Sequence, residues 1–206
     1  MYARSTTIQA QPASVDAGIA HARDVVLPEI LAIDGCVGLS MMVDRKTGRC
    51  VTTSAWRSMD QMRASEAQIG PIRDRVEGIF GGSNSDVEEW EIVLLHRDHR
   101  AGEGAAIRAS WGQTEPAQLD HAIDTVKLAL HDIEQLDGFC SASYMVSRAT
   151  GRTVLSVTYD NADALDRNRD KATAIRATRA PEGGIKILDV SEYELAIAHL
   201  RVPEMA

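Results

Sequence analysis

Cysteine is scarce in this 206-residue chain, and what there is does not pair. Cys36, Cys50 and Cys140 are three in number, lack any CxxC spacing and sit in apolar, strand-like stretches. That argues against a disulfide framework and for buried, reduced thiols in a cytoplasmic protein. No stretch approaches the ~20 apolar residues of a membrane-spanning helix, and the opening MYARSTTIQAQ has no apolar signal core, so no membrane association is expected. The net charge is −8 and neither half carries a basic block, so a nucleic-acid partner has no electrostatic footprint. GxGxxG, Walker and HExxH strings and a nucleophile elbow are all missing. No metal, flavin or haem cofactor is therefore expected.

What the chain has is a repeat. Ile33-Asp34-Gly35 returns as Leu136-Asp137-Gly138, a displacement of 137 − 34 = 103 residues. At that displacement Met42-Val43 matches Met145-Val146, and Arg45 matches Arg148. Thr47-Gly48-Arg49 matches Thr150-Gly151-Arg152, and Glu89-Trp90-Glu91 matches Glu192-Tyr193-Glu194. A period of this length is a small domain rather than a solenoid unit, so the chain is a duplicated domain.

Each half reads as the same series of elements. In the first, a strand at 4–9 leads to a helix whose apolar residues Val15, Ile19, Ala22, Val26 and Ile30 recur at three- and four-residue steps. Pro28 predicts a kink or a break in it. Leu119, Ile123, Val126, Leu130 and Ile133 form the cleaner stripe of the second half. Gly35 and Gly138 suit the left-handed residue that closes a helix. Two hairpins follow, 36–44 with 49–56 and 139–147 with 152–159, each turned by a TGR segment. Ser58 with Gln61 forms a capping box for a second helix, and Asn161 caps its twin. Closing strands are predicted at 87–95 and 190–198, with loops at 81–86 and 181–184.

The order β-α-β-β-α-β builds a four-stranded antiparallel sheet with both helices on one face. The bare sheet face, rich in Val, Leu and Met, needs cover. The predicted fold class is therefore α+β: two ferredoxin-like modules, residues 1–97 and 104–206, packed sheet to sheet as an intrachain barrel. Edge strands retained by such sheets leave room for a homodimer.

This pattern resembles the antibiotic biosynthesis monooxygenase-like superfamily of dimeric α/β barrels, fused in tandem. The resemblance is carried by the helix ending in Asp34-Gly35, the hairpin leading to Trp56-Arg57-Ser58, the helix 59–65 and the closing strand 88–95. Their counterparts are Asp137-Gly138, Tyr159-Asp160-Asn161 and 191–197. The resemblance implies cofactor-independent oxidation of polycyclic aromatics by molecular oxygen, or haem degradation, or no activity, with the ligand between sheet and helices. Haem-degrading members use a histidine on the second helix, and neither second helix here has one.

The functional reading that follows is a cofactor-independent monooxygenase-like protein acting on a bulky aromatic or quinol-like molecule. The alternative is a non-catalytic ligand-binding or structural barrel. Trp56 and Tyr159, at one place in the repeat, are candidates to line a pocket and orient an aromatic ligand, or else plugs between strand and helix. Tyr144 and Trp111 join them as candidate substrate-binding residues, with Met41 and Ile8 opposite them in the first half. The second half, with Trp111, Phe139, Tyr144 and Tyr159, is expected to be the more filled and the first the roomier. No catalytic residue is named, although His131 remains a candidate acid or base. The strand carboxylates Glu89, Glu91, Glu192 and Glu194 are expected to line a solvated face or rim, or to pair with arginines across the two modules, with Arg57 and Arg63 as candidates.

Overall fold

The computed structural model describes residues 1–200 and 202–205, of which residues 83, 84 and 200 are described by backbone alone. The elements are β1 (Tyr2–Gln9), α1 (Val15–His21), α2 (Leu27–Leu31), β2 (Cys36–Asp44), β3 (Arg49–Trp56), α3 (Met59–Ala64), α4 (Glu66–Phe80) and β4 (Ser83–Arg97). The second set is β5 (Ala106–Gln113), α5 (Leu119–Glu134), β6 (Phe139–Val146), β7 (Arg152–Tyr159), α6 (Ala162–Arg167), α7 (Arg169–Glu182) and β8 (Lys186–Leu200). The eight strands close on one another in the order β1-β3-β2-β8-β5-β7-β6-β4, and the fold is the tandem α+β barrel that the repeat predicts. Closure leaves no unpaired sheet edge, which removes the edge-strand argument for a homodimer.

Two compact units make up the chain. One is Met1–Trp90 together with Glu194–Val202; the other is Glu91–Tyr193 together with the C-terminal residues from Pro203. The expected boundary near residue 100 follows the chain, whereas the units divide within the long strands β4 and β8. In the first unit β2 pairs with β3 and also with the distal part of β8, from Gly38 opposite Leu200 to Val43 opposite Glu194. In the second, β6 pairs with β7 and with the distal part of β4, from Glu91 opposite Val146 to Arg97 opposite Ser141. Both closing strands are longer than alternation suggested, and β4 already begins at Ser83, inside the expected loop.

The caps and turns follow from their residues. Ser58 accepts from the Gln61 N–H at 3.2 Å and Asn161 from the Ala164 N–H at 2.9 Å, starting α3 and α6. Gly35 and Gly138 have φ of 84° and 68°, the left-handed closure expected of them. The TGR glycines are held by close packing as well: a Cβ on Gly48 would stand 2.3 Å from the Ala10 carbonyl, and one on Gly151 would stand 2.0 Å from that of Thr114. Turn geometry thus accounts for that motif.

The first helix is interrupted next to Pro28, the site of the expected kink or break. The chain makes a π turn at Ala22–Val26 just before it, between α1 and α2, with the Leu27 N–H reaching back to the Ala22 carbonyl. Pro28 has no N–H to give, and its ring crowds the carbonyl four residues earlier, so the ladder widens there. The π turn also holds one extra residue. Val15 and Leu119 open their helices 119 − 15 = 104 residues apart, whereas the glycines that close them are 138 − 35 = 103 apart. Everything before the π turn is therefore displaced by 104. Strand pairing agrees: Thr7 lies opposite Val51 as Trp111 lies opposite Val154, so Trp111 corresponds to Thr7, not to Ile8.

The strand carboxylates do pair with arginines, in a pattern that differs from the expected one. Arg63 binds Glu89 at 3.1 Å inside the first unit. The pairs that join the two halves of the sequence are Arg45 with Glu194 at 2.6 Å and Arg148 with Glu91 at 2.5 Å, one in each unit.

Candidate functional site

A cavity of about 80 Å³ lies in the second unit, between α5 and α7 on one side and the face of β5, β7 and β6 on the other. Its walls are mostly apolar, with Val126, Ala129 and Ile133 from α5 and Ala172 and Ile175 from α7. A heptad-like stripe supplies the α5 residues, so the same periodicity that buries the helix also dries the cavity. Strand alternation brings Arg108 and Ser110 of β5, Tyr144 of β6, and Thr153, Val157 and Tyr159 of β7 to this face. The half-buried Arg176 and Arg179 of α7 complete it.

Three polar atoms of the lining residues are buried and lack a hydrogen-bond partner: the hydroxyls of Tyr144 and Tyr159, and Nη1 of Arg108. Tyr144 is 1 % exposed, Tyr159 0 % and Arg108 5 %. Burial pushes the Tyr144 phenol up to about 12, with nearby Thr153 opposing the rise without reaching hydrogen-bond geometry. Burial also raises Tyr159, and the positive charge of Arg108 opposes it. Both phenols are therefore protonated donors at neutral pH. Arg108 is anchored elsewhere by its other nitrogens, Nη2 to Glu192 at 2.9 Å and to the Leu165 carbonyl at 3.2 Å. Its guanidinium lies 6.0 Å from the centre of the Tyr159 ring. Burial, and then repulsion from Arg108, lowers the affinity of Arg176 for its proton. Cationic groups and O–H donors thus converge on an apolar space, an arrangement suited to an anionic oxygen on an apolar body.

Of the four candidate residues, the cavity unites Tyr144 and Tyr159. Trp56 is fully buried in the first unit's core, where its indole N–H donates to the Ser54 hydroxyl at 3.0 Å. Trp111 lies on the opposite face of β5, edge-on to Tyr193 at 6.0 Å. His131 is far from buried, its side chain 80 % exposed and bonded to Glu134. The described cavity also lies in the aromatic-rich half, the one expected to be the more filled. The reason is the second helix: Ile69, Val76 and Phe80 are buried in the first unit, and Ala172, Arg179 and Gly183 take their places in the second. Three large apolar groups give way to a methyl, a flexible cation and a hydrogen.

Arg108 escaped the sequence reading because its counterpart, Arg4, stands 108 − 4 = 104 residues earlier, out of step with the 103-residue repeat. Both are buried strand arginines, a signal that the corrected displacement exposes. A further polar group was equally invisible to spacing. His99, Cys140 and Asp160 come from three segments and bring their donor atoms within 4.8 Å of one another.

The Mycobacterium tuberculosis protein Rv2557, itself uncharacterized, is 54% identical over 206 residues, covering 100% of this chain and 92% of its own. The chain belongs to its family. No family profile matches the sequence. In fold, an anthrone oxidase-like protein matches with a TM-score of 0.69 at 12% identity, covering 94% of this chain and 90% of its own. A Listeria monocytogenes ferredoxin-fold protein, described as related to antibiotic biosynthesis monooxygenases, matches with a TM-score of 0.51 at 7% identity, covering 95% and 94%. These likenesses establish a shared ferredoxin-like fold. No helix among the described residues is long and apolar enough to cross a membrane.

Proposed function

We propose that the second unit's cavity binds a quinol-like aromatic as its oxyanion and promotes its oxidation by molecular oxygen without a bound cofactor. The observation that supports this reading is that three buried, unpartnered polar atoms, Arg108 Nη1 and the two tyrosine hydroxyls, belong to residues lining one apolar space. Leaving such groups unpaired costs about 1–3 kcal/mol each, a cost that a ligand oxygen removes on binding. The guanidinium lowers the pKa of a bound hydroxyl, whose proton leaves to solvent. The resulting anion passes an electron to oxygen, the radical pair joins at carbon, and the hydroperoxide loses water to give a quinone. One oxygen atom enters the product and the other leaves as water. The protein's part is to hold the anion, donate hydrogen bonds and exclude bulk water.

An apolar cavity of about 150 Å³ accommodates benzene. This one is smaller, so entry of even one ring requires widening, and the long, half-buried side chains of Arg176 and Arg179 are the lining groups with the most rotamers to change. Compact hydroquinones and naphthols fit this site better than three-ring anthrones. One observation favours the second reading, ligand binding without turnover: the residues lining the cavity include no Asp, Glu or His to act as a base.

Oxygen uptake with naphthols, naphthohydroquinones and anthrone tests the proposal. The expected result is one oxygen consumed per substrate, reduced at least tenfold by Tyr159→Phe or Arg108→Lys. Saturable naphthol binding with no uptake would leave the binding reading, and absence of both would remove the site.

A further inference from the structure

We propose that His99, Cys140 and Asp160 form a zinc site in the second unit, with Asp98 as its positioning residue. The donors come from separate pieces of chain. Cys140 lies in β6, Asp160 directly follows β7, and His99 follows β4. His99 Nε2 is 2.8 Å from Asp160 Oδ1, and the Cys140 thiol donates to the same oxygen at 3.3 Å. Tetrahedral zinc, with Zn–S of about 2.3 Å and Zn–N and Zn–O of about 2.0–2.2 Å, spaces nitrogen and oxygen donors roughly 3.3–3.5 Å apart and sulfur roughly 3.5–3.7 Å from either. The thiol stands slightly inside that spacing from the carboxylate, and all three donor atoms lie within 4.8 Å of one another. The imidazole and carboxylate sit about half an ångström closer, as a hydrogen bond requires, and small side-chain rotations separate them.

The surroundings suit a metal as well. Asp98 accepts from, or shares a proton with, His99 Nδ1 at 2.7 Å, which leaves Nε2 as the coordinating nitrogen; carboxylate support of this kind is usual for zinc-bound histidine. The backbone N–H groups of Asp98 and His99 both point to the Cys140 carbonyl, at 2.9 and 3.3 Å, so the ligand segment is fastened to β6. Cys140 is buried, whereas the side chains of His99 and Asp160 are 42 % and 47 % exposed, which gives the ion a route from solvent. The first half has Val37 and Arg57 at the places of Cys140 and Asp160, so the duplicated scaffold does not by itself require these donors.

One sulfur, one nitrogen and one oxygen match zinc's borderline preferences, and three protein ligands leave a fourth position for water. On binding, Zn²⁺ displaces the thiol proton of Cys140 and the Nε2 proton that His99 gives to Asp160, and both go to solvent; no electron is transferred. The thiolate and the Asp160 carboxylate together neutralise the dication.

The full-length, chelator-treated protein is titrated with Zn²⁺ against a colorimetric chelator, and separately with Co²⁺ read in the near ultraviolet. One equivalent of zinc, release of two protons per zinc and a sulfur-to-cobalt charge-transfer band are expected. Cys140→Ser should abolish the band and weaken zinc at least 100-fold, and His99→Ala and Asp160→Asn at least tenfold. Asp98→Asn should weaken zinc about tenfold while leaving the band in place. Metal-free melting curves check that each variant folds, and the exposed Asp160→Asn provides a readout if Cys140→Ser does not. Absence of saturable one-to-one binding, a band that survives Cys140→Ser, or unchanged affinity in both Asp160→Asn and His99→Ala would overturn the site.

Discussion

Arg4 and Arg108 occupy the same strand position in the two units, and both are almost wholly buried, yet their surroundings differ. Arg4 donates Nη1 to Ser65 at 3.3 Å and Nη2 to the Met62 carbonyl at 2.9 Å, and it pairs with Glu66 at 3.1 Å and Glu89 at 3.6 Å. In the second unit Asn168 replaces Ser65 and turns to the Asp137 and Ala164 carbonyls. Arg169 replaces Glu66 and competes for Glu192 at 2.8 Å. Arg108 Nη1 is left over. The first unit uses its arginine to hold itself together, and the second holds one donor in reserve beside an unfilled space. The indole of Trp56 is satisfied by Ser54 while the Tyr159 hydroxyl is not, which repeats the contrast.

The sharpest way to break that comparison is to remove each arginine in turn. Arg4→Met should destabilise the protein by about 2 kcal/mol, because the buried Ser65 hydroxyl and Met62 carbonyl lose a donor while the more exposed Glu66 and Glu89 turn to water. Arg108→Met should cost about half as much, since Glu192 retains Arg169. Equal midpoint shifts in urea would show that the two sites are energetically alike.

Alkaline pH offers a comparable difference. A phenol that titrates near 10 when unfolded and at about 12 when folded keeps its proton better in the native state. Its contribution is intact below pH 10 and is lost as pH rises toward 12, at most about 2–3 kcal/mol for Tyr144. Burial raises the Cys50 and Cys140 thiols in the same sense, to about 11 and about 12, and Asp160 adds to the rise at Cys140. Denaturation at pH 8 and pH 11 should show the loss, with Tyr144→Phe removing its share. An unchanged pH slope in that variant would place the sensitivity elsewhere.

Ala172→Ile copies the first unit's Ile69 into the second and should fill the cavity. The expected gain is about 1 kcal/mol in stability together with loss of naphthol binding. A gain in stability with binding intact would mean that the ligand sits elsewhere. The helix caps should show no contrast: Ser58→Ala and Asn161→Ala should each cost ~1 kcal/mol. A clear difference between them would limit how far the two scaffolds can be treated as copies.

Scaffold residues carry their information locally, which is why they were legible. The Asp-Gly helix ends, the TGR turns, the Ser58 and Asn161 caps and the α5 stripe each obey a rule spanning a few residues. The candidate site does not. Tyr144 and Tyr159 could be named because aromatic hydroxyls on strands are conspicuous, but Trp111, one pleat out of phase, faces away. Arg108 was hidden by the single inserted residue of the π turn, and the cavity by a loss of bulk along α7 relative to α4. The zinc ligands are brought together only by folding, and no spacing along the chain announces them.

The shared strands have a consequence for the gene itself. Residues 194–200, encoded last, are paired with β2 in the unit encoded first, and residues 91–97 are paired with β6 in the unit encoded second. Each half of the reading frame therefore carries a piece that the other half's product needs. After duplication and fusion, neither copy can be deleted, transplanted or expressed separately without leaving a raw β edge in what remains. Their side chains remain free to diverge, as Arg4 and Arg108 have, while their backbones are bound to a common inheritance.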